Sequence, residues 1–191
     1  TERARRWVLG GALLAVVAAG LVLAPYVLSV SIAAVTVVLR SLSLSASAAT
    51  GRRGRRGAKW YDGVLNVIAA PWHFLVSLPA TVMLLAWTAL IVACIGLVLV
   101  ALKVDDVVTL GVSGVVLAVT IWTGPGSSRL RSPVRRMGLP LATSPVPWLL
   151  VVLVMVALAS GMVSWAMQAD PFWAPFDGSP WASDTWLGRH L

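Results

Sequence analysis

Run length without charge constrains this chain more than any other feature. Residues 80–102 (ATVMLLAWTALIVACIGLVLVAL), 107–123 and 146–167 are stretches of 23, 17 and 22 residues with no charged side chain. A hydrocarbon core about 30 Å thick takes roughly 20 helical residues, so each run matches one membrane crossing. Composition agrees. The 191 residues are 59% hydrophobic and 12% charged, where soluble domains run near 45–50% and 25%. So few charges cannot cover a soluble globule of this size, and the expected fold is an all-α, polytopic membrane protein.

A fourth apolar region, residues 7–39, is too long for one crossing. As a single helix it would measure about 50 Å. Pro25 sits in its middle and disrupts helical hydrogen bonding. The region therefore reads as a hairpin within residues 1–50, going out over 7–24 and returning from Tyr26, with a single kinked and tilted helix as the alternative. Arg40 is expected near the end of the returning helix, snorkelling to the headgroups. The RARRWVLGGALLAVVAAG stretch has a charged front and an apolar centre like a secretory signal, and it reads as a retained membrane helix.

Residues 51–59 (GRRGRRGAK) carry Arg52, Arg53, Arg55, Arg56 and Lys59 interleaved with glycines, which predicts a basic loop that is neither helix nor strand. Residues 60–79 then form an amphipathic segment. At 100° per residue, Asp62, Asn66, His73 and Ser77 share one 60° sector, and the rest of the surface is apolar. That pattern predicts a separate interfacial helix with its polar stripe toward water. Trp60, Tyr61 and Trp72 suit headgroup level. Residues 80–167 follow as a three-helix transmembrane bundle, and 168–191 as an external tail rich in Trp and Pro.

Charge orients the model. With the N-terminus, residues 40–59 and residues 124–145 on the cytoplasmic side, thirteen of the fifteen Lys and Arg lie inside, including Arg129, Arg131, Arg135 and Arg136. Lys103 and Arg189 stay outside with five of the seven acids. This is the bias that positive-inside topology produces. If residues 64–78 crossed the membrane, the basic loop would flip outside. The expected architecture is thus five spans, N-terminus in and C-terminus out, plus the interfacial helix. Thirteen arginines against two lysines, with abundant Ala, Val, Leu and Gly, suggest a GC-rich bacterial genome and a bacterial cytoplasmic membrane.

Chemistry-bearing constellations are sparse. One cysteine, Cys94, gives no disulfide or CxxC motif, and His73 and His190 are too far apart in sequence to suggest a metal cluster. Ser77 lies one helical turn from His73, but Asp62 is about 16 Å away along a straight helix, too far to orient the imidazole. The spans 80–102, 107–123 and 146–167 lack the ionisable residues that proton relays use. Their hydroxyls can bond to their own backbone or across helices. Neither a cofactor nor an enzymatic activity is expected. The basic clusters fit topogenic signals that attract anionic lipids, and nucleic-acid binding, which needs more aromatic platforms, is not expected.

Small-xxx-small pairs, Ala157 with Gly161, Ala89 with Ala93 and Ser160 with Ser164, allow close helix contact. Gly111 and Gly114 lie on neighbouring faces. In the tail, Trp173, Trp181 and Trp186 suit either a membrane belt or docking on a partner. The function expected is a non-enzymatic accessory, anchoring or scaffold subunit of a membrane complex, or the membrane portion of a larger polypeptide. A component of a transport system for an apolar or neutral solute is second, and a membrane-embedded enzyme third.

The topology has a direct test. With Cys94→Ala as background, a cysteine at Ser183 is expected to react with an impermeant thiol reagent in intact cells, and one at Ser128 to stay unlabelled. The reverse pattern would refute the orientation.

Overall fold

The computed structural model describes residues 2–56, 62–128, 130–131, 134, 143–169, 171–176, 178–182, 185 and 188–189, with side chains for these except 44–56, 62–71, 73 and 74. The described residues form five helices and no strand: α1 (Glu2–Leu23), α2 (Pro25–Arg56), α3 (Asp62–Ala101), α4 (Asp106–Thr123) and α5 (Pro145–Ala166). All five contain stretches long and apolar enough to cross a membrane, in α2 over Pro25–Ser43 and in α3 over Leu75–Ala101. The expected all-α, polytopic architecture is what the chain adopts.

Ala24 separates α1 from α2, and Pro25 opens the second helix. Proline lacks the N–H that would continue α1, and its fixed φ suits the first helical position. The Ala24 N–H still bonds to Gly20 O, and Leu28 N–H bonds to Ala24 O. The Leu23 carbonyl instead accepts from Phe172 N–H at 2.8 Å. The chain does turn back here. Tyr26, in the first turn of α2, meets Trp173 and Phe176, whereas Arg40 reaches Gly126 just past the end of α4. Trp181 bonds to Asp106 at the start of α4, so α2 begins and ends at opposite ends of α4.

Helix α1 is the central element. It packs along α5 on one side and α4 on the other, while α3 packs on α4 and on α2. The α1–α5 pair is parallel: Trp148 Nε1 donates to Arg5 O near both starts, and Phe172 meets Leu23 near both ends. The α1–α4 pair is antiparallel and very close. A Cβ on Gly114 would lie 2.7 Å from the Ala18 Cα, whereas one on Gly111 would make only ordinary contact, at 3.7 Å from Val22. Leu21, Leu117, Ile121 and Leu130 form the core beside this crossing, with Val17, Leu28, Ile32, Leu39 and Val92 packed around it.

The short turn between α3 and α4 closes both helices. Lys103 takes a left-handed φ of 54°. The Lys103 N–H bonds to Val100 O and the Val104 N–H to Leu99 O, the paired bonds of a Schellman ending. Asp105 then caps α4 by accepting from Val107 N at 3.0 Å, which satisfies one of the free amides of the first turn.

Three expected boundaries are corrected. The basic segment is helical through Arg56, because α2 continues over 51–56; glycine costs about 1 kcal/mol in a helix but does not forbid one, and arginine is a good helix former. Residues 62–79 are not a separate helix but the first part of α3, which is 40 residues long and passes through Pro71 and Pro79 without a break in assignment. At about 1.5 Å per residue α3 has a contour of about 60 Å, twice the hydrocarbon thickness, so its first turns lie beyond the Leu75–Ala101 span. Residues 80–167 are not a self-contained bundle, since α1 lies between α4 and α5.

The two glycines of α4 should behave oppositely. Gly114→Ala forces α1 and α4 apart and is expected to destabilise by ~1–3 kcal/mol. Gly111→Ala should be neutral or stabilising by up to ~1 kcal/mol, since alanine is the better helix former. Thermal unfolding of the detergent-purified protein reads both. Equal effects would show that the α1–α4 approach is not set at Gly114.

Candidate functional site

The most informative side chain is one that the sequence reading placed at the lipid headgroups. Arg40 does not snorkel. It lies in the Pro25–Ser43 span, about 22 Å along α2 from Pro25, and is only 2% exposed. Its Nη1 donates to Gly126 O at 3.0 Å, joining α2 to the turn after α4. Burial of a guanidinium in protein demands such partners, because an unpaired charge there costs several kcal/mol.

The acceptor is held by a turn made for it. Gly124 ends α4, its N–H bonding to Thr120 O at 2.7 Å, and the Ser127 N–H bonds back to Gly124 O. Gly126 sits at φ +74°, and a Cβ there would stand 3.0 Å from the Arg40 Nη2. Glycine is therefore favoured both by the backbone conformation and by the nearness of the guanidinium. A Cβ on Gly124 would meet Leu84 Cδ1 at 2.6 Å, which brings α3 against the same turn. Leu130, one helical turn on, joins the core beside Leu117 and Ile121.

Polar groups collect at this end of the protein. Thr36, Arg40, Ser77, Thr81 and Ser127 are all buried. Thr81 Oγ1 donates to Ser77 O and Thr88 Oγ1 to Leu84 O, so these hydroxyls bond along their own helix. Ser127 Oγ is buried with no hydrogen-bond partner among the described residues. At the other end, Asp106 accepts from Trp181 Nε1 at 2.9 Å. At the Arg40 end, Arg5 lies over the Trp148 ring, 5.9 Å from its centroid, and donates to Thr143 O.

The residues singled out from sequence divide accordingly. Ser77 is corrected: it is 3% exposed, not turned to water. It falls on the α3 face that continues through Thr81, Leu84 and Thr88, all buried, because steps of four and three residues stay on one helix face. Asp62 and Asn66 lie in α3 and His73 one turn before Ser77, but their side chains are outside the described residues. The same holds for Arg52, Arg53, Arg55 and Arg56 at the end of α2, while Lys59, Arg129, Arg135, Arg136 and Trp186 lie outside the described residues altogether. Arg131 is exposed. Trp173 and Trp181 pack on each other edge to face at 5.5 Å and against Val22, Leu110 and Ala166. Their first contact is therefore with this chain itself, an alternative the tail's composition did not suggest.

Among the described residues no group of three His, Cys, Asp or Glu could hold a metal ion. The arrangement around Arg40 offers a fixed cation and neutral hydroxyls, which suit holding a turn in place. Arg40, Arg5 and Trp148 gave no local signal, since their partners lie 86, 138 and 143 residues away.

Removing the Arg40 donor, or crowding it from the Gly126 side, should cost stability. Arg40→Met removes the donor to the part-buried Gly126 carbonyl and empties a buried site of its guanidinium, and is expected to destabilise by ~1–3 kcal/mol. Arg40→Lys keeps the charge without the planar fork and should fall between. Gly126→Ala should cost ~1–2 kcal/mol from the left-handed backbone alone. In the double variant Arg40→Met/Gly126→Ala the penalties should fail to add by more than ~0.5 kcal/mol. Additive penalties in thermal unfolding would show that the two residues act independently.

In comparisons with known proteins, no family model, no curated protein and no solved structure matches this chain.

Proposed function

We propose that this chain is a non-enzymatic accessory, anchoring or scaffold subunit of a bacterial cytoplasmic-membrane complex, or the membrane portion of a longer polypeptide. The observation that carries this reading is the outer face of α5. That helix packs along α1, burying Ala159 and Ala166. Ala157, Ser160, Gly161 and Ser164 are exposed, and a Cβ on Gly161 would meet nothing within 4 Å. Small residues let transmembrane helices approach closely, and here the chain's own helices leave that face uncovered. On α3, Ala89 and Ala93 are likewise exposed.

The orientation follows from charge. The starts of α1 and α5, Arg40 and the turn after α4 gather at one end, with Arg3, Arg5, Arg6 and Arg131. Lys103, Asp105, Asp106 and the tail gather at the other. The basic end is assigned to the cytoplasm, where its cations meet anionic lipids. A second reading, a component of a transport system for an apolar or neutral solute, draws on Arg40, since an ionisable residue buried inside a spanning helix marks functional pathways in many membrane proteins.

Purification from native membranes tests the proposal. A stoichiometric membrane partner is expected to co-purify, and Gly161→Leu should release it while leaving insertion and thermal stability unchanged. Retention of the partner by Gly161→Leu would remove the α5 face from the argument. Solute flux through vesicles holding this chain alone would favour transport instead.

A further inference from the structure

The tail packs against the bundle end and still leaves two large rings outside. Its position is fixed by three contacts to three different elements. Phe172 N–H bonds to the freed Leu23 carbonyl. Tyr26 on α2 packs against Trp173 at 5.9 Å and Phe176 at 4.9 Å between ring centroids. Trp181 bonds to Asp106 at the start of α4. The tail thus sits at the height where α1 ends and α2 and α4 begin.

Its aromatic residues are sorted by side. Trp173 and Trp181 face Val22, Leu110 and Ala166. Phe172 and Phe176 remain 59% and 60% exposed. Met167 beyond α5 and Leu102 beyond α3 are also exposed at the same end of their helices. In the first turns of the adjoining helices, Val27 and Val30 on α2 and Val108 on α4 are exposed as well. We infer that the tail is a membrane-interface anchor that inserts Phe172 and Phe176 into the lipid headgroup layer at this end of the protein.

Two features favour lipid over a protein partner. The exposed rings sit at the height where the spans end, and the spans themselves expose apolar side chains of the kind that lipid covers. The Trp181 indole N–H is engaged with Asp106 and the Tyr26 ring packs on Trp173 and Phe176, so the large rings left exposed among the described tail residues are phenyl rings. A phenyl ring enters the headgroup–acyl boundary without needing a hydrogen-bond partner, whereas protein docking sites favour Trp, Tyr and Arg. The intramolecular contacts also hold the tail in place before any partner arrives, so ordering it needs no second protein. This inference is independent of the accessory-subunit reading, because it concerns the isolated chain in lipid.

The test uses the full chain with Cys94→Ala, carrying a nitroxide at Phe172→Cys or Phe176→Cys, in phosphatidylcholine–phosphatidylglycerol vesicles. Val30→Cys, 69% exposed on α2, supplies the lipid reference. Collision rates with oxygen and with a water-soluble nickel chelate give depth. Both tail labels are expected just below the phosphates, shallower than Val30, with oxygen favoured over the chelate. Chelate access equal to that of free nitroxide in water would overturn the inference. Shielding from both reagents would overturn it too, since that is the signature of a protein contact or a second copy. Tryptophan emission unchanged from the parent protein confirms that the labelled tail keeps its packing. If the cysteines disturb it, Phe172→Leu/Phe176→Leu and Phe172→Ser/Phe176→Ser replace them, with limited proteolysis of the tail in vesicles as the readout. The leucine pair is expected to stay as protected as the parent and the serine pair to be cut several-fold faster. Equal cleavage of the two pairs would overturn the inference.

Discussion

Helices α1 and α4 meet closely where Gly114 lets the helix backbone lie against Ala18. In lipid no hydrophobic effect pulls helices together, so association depends on intimate van der Waals contact. A glycine at the crossing allows that contact, and the other helices arrange themselves around it. Helix α1 sits between α4 and α5, α3 lies on α4, and α2 lies on α3. The first helix is therefore the hub of the protein, although by sequence it looks like the most peripheral span.

Making α1 the hub creates a problem at its end. The break at Ala24–Pro25 frees backbone groups, and such groups are costly wherever they are left unsatisfied away from water. The Leu23 carbonyl is met by the Phe172 amide from the far end of the chain. That one bond helps to explain why the tail returns to the bundle. Once there, its indoles cover Val22 and Leu110, and Trp181 finds the carboxylate of Asp106. The turn at α1–α2 and the tail are parts of one arrangement.

The opposite end is organised by polarity. Arg40, buried in the last turns of the α2 span, bonds to the carbonyl of a left-handed glycine. A charge in this position is tolerated only with partners, and replacing them with water would require opening the bundle. The contact joins α2 to the turn that follows α4, while Leu84 ties α3 to the same turn. Three helices thus share one short loop, GPGSS.

Much of the fold was legible in the sequence because it depends on local quantities. Run length set the number of spans, Pro25 set the break between α1 and α2, and the hydroxyls' bonds to their own helix follow from spacing alone. The polar stripe over 62–77 was also visible, but periodicity reports only that its residues share a face. Tertiary packing decided which way the described end of that face turns, and it buried Ser77 against the bundle. The same limit applied to Arg40 and to the tail, whose partners lie far away in sequence. A snorkelling arginine and a buried one have the same neighbours in sequence, and so do a belt tryptophan and a capping one. The sequence by itself determined how many apolar spans there are and where the first two part, because run length and the missing N–H of Pro25 are local properties. Only the tertiary structure decided which helix is central and where the isolated polar and aromatic side chains go, because those choices rest on contacts made at long range.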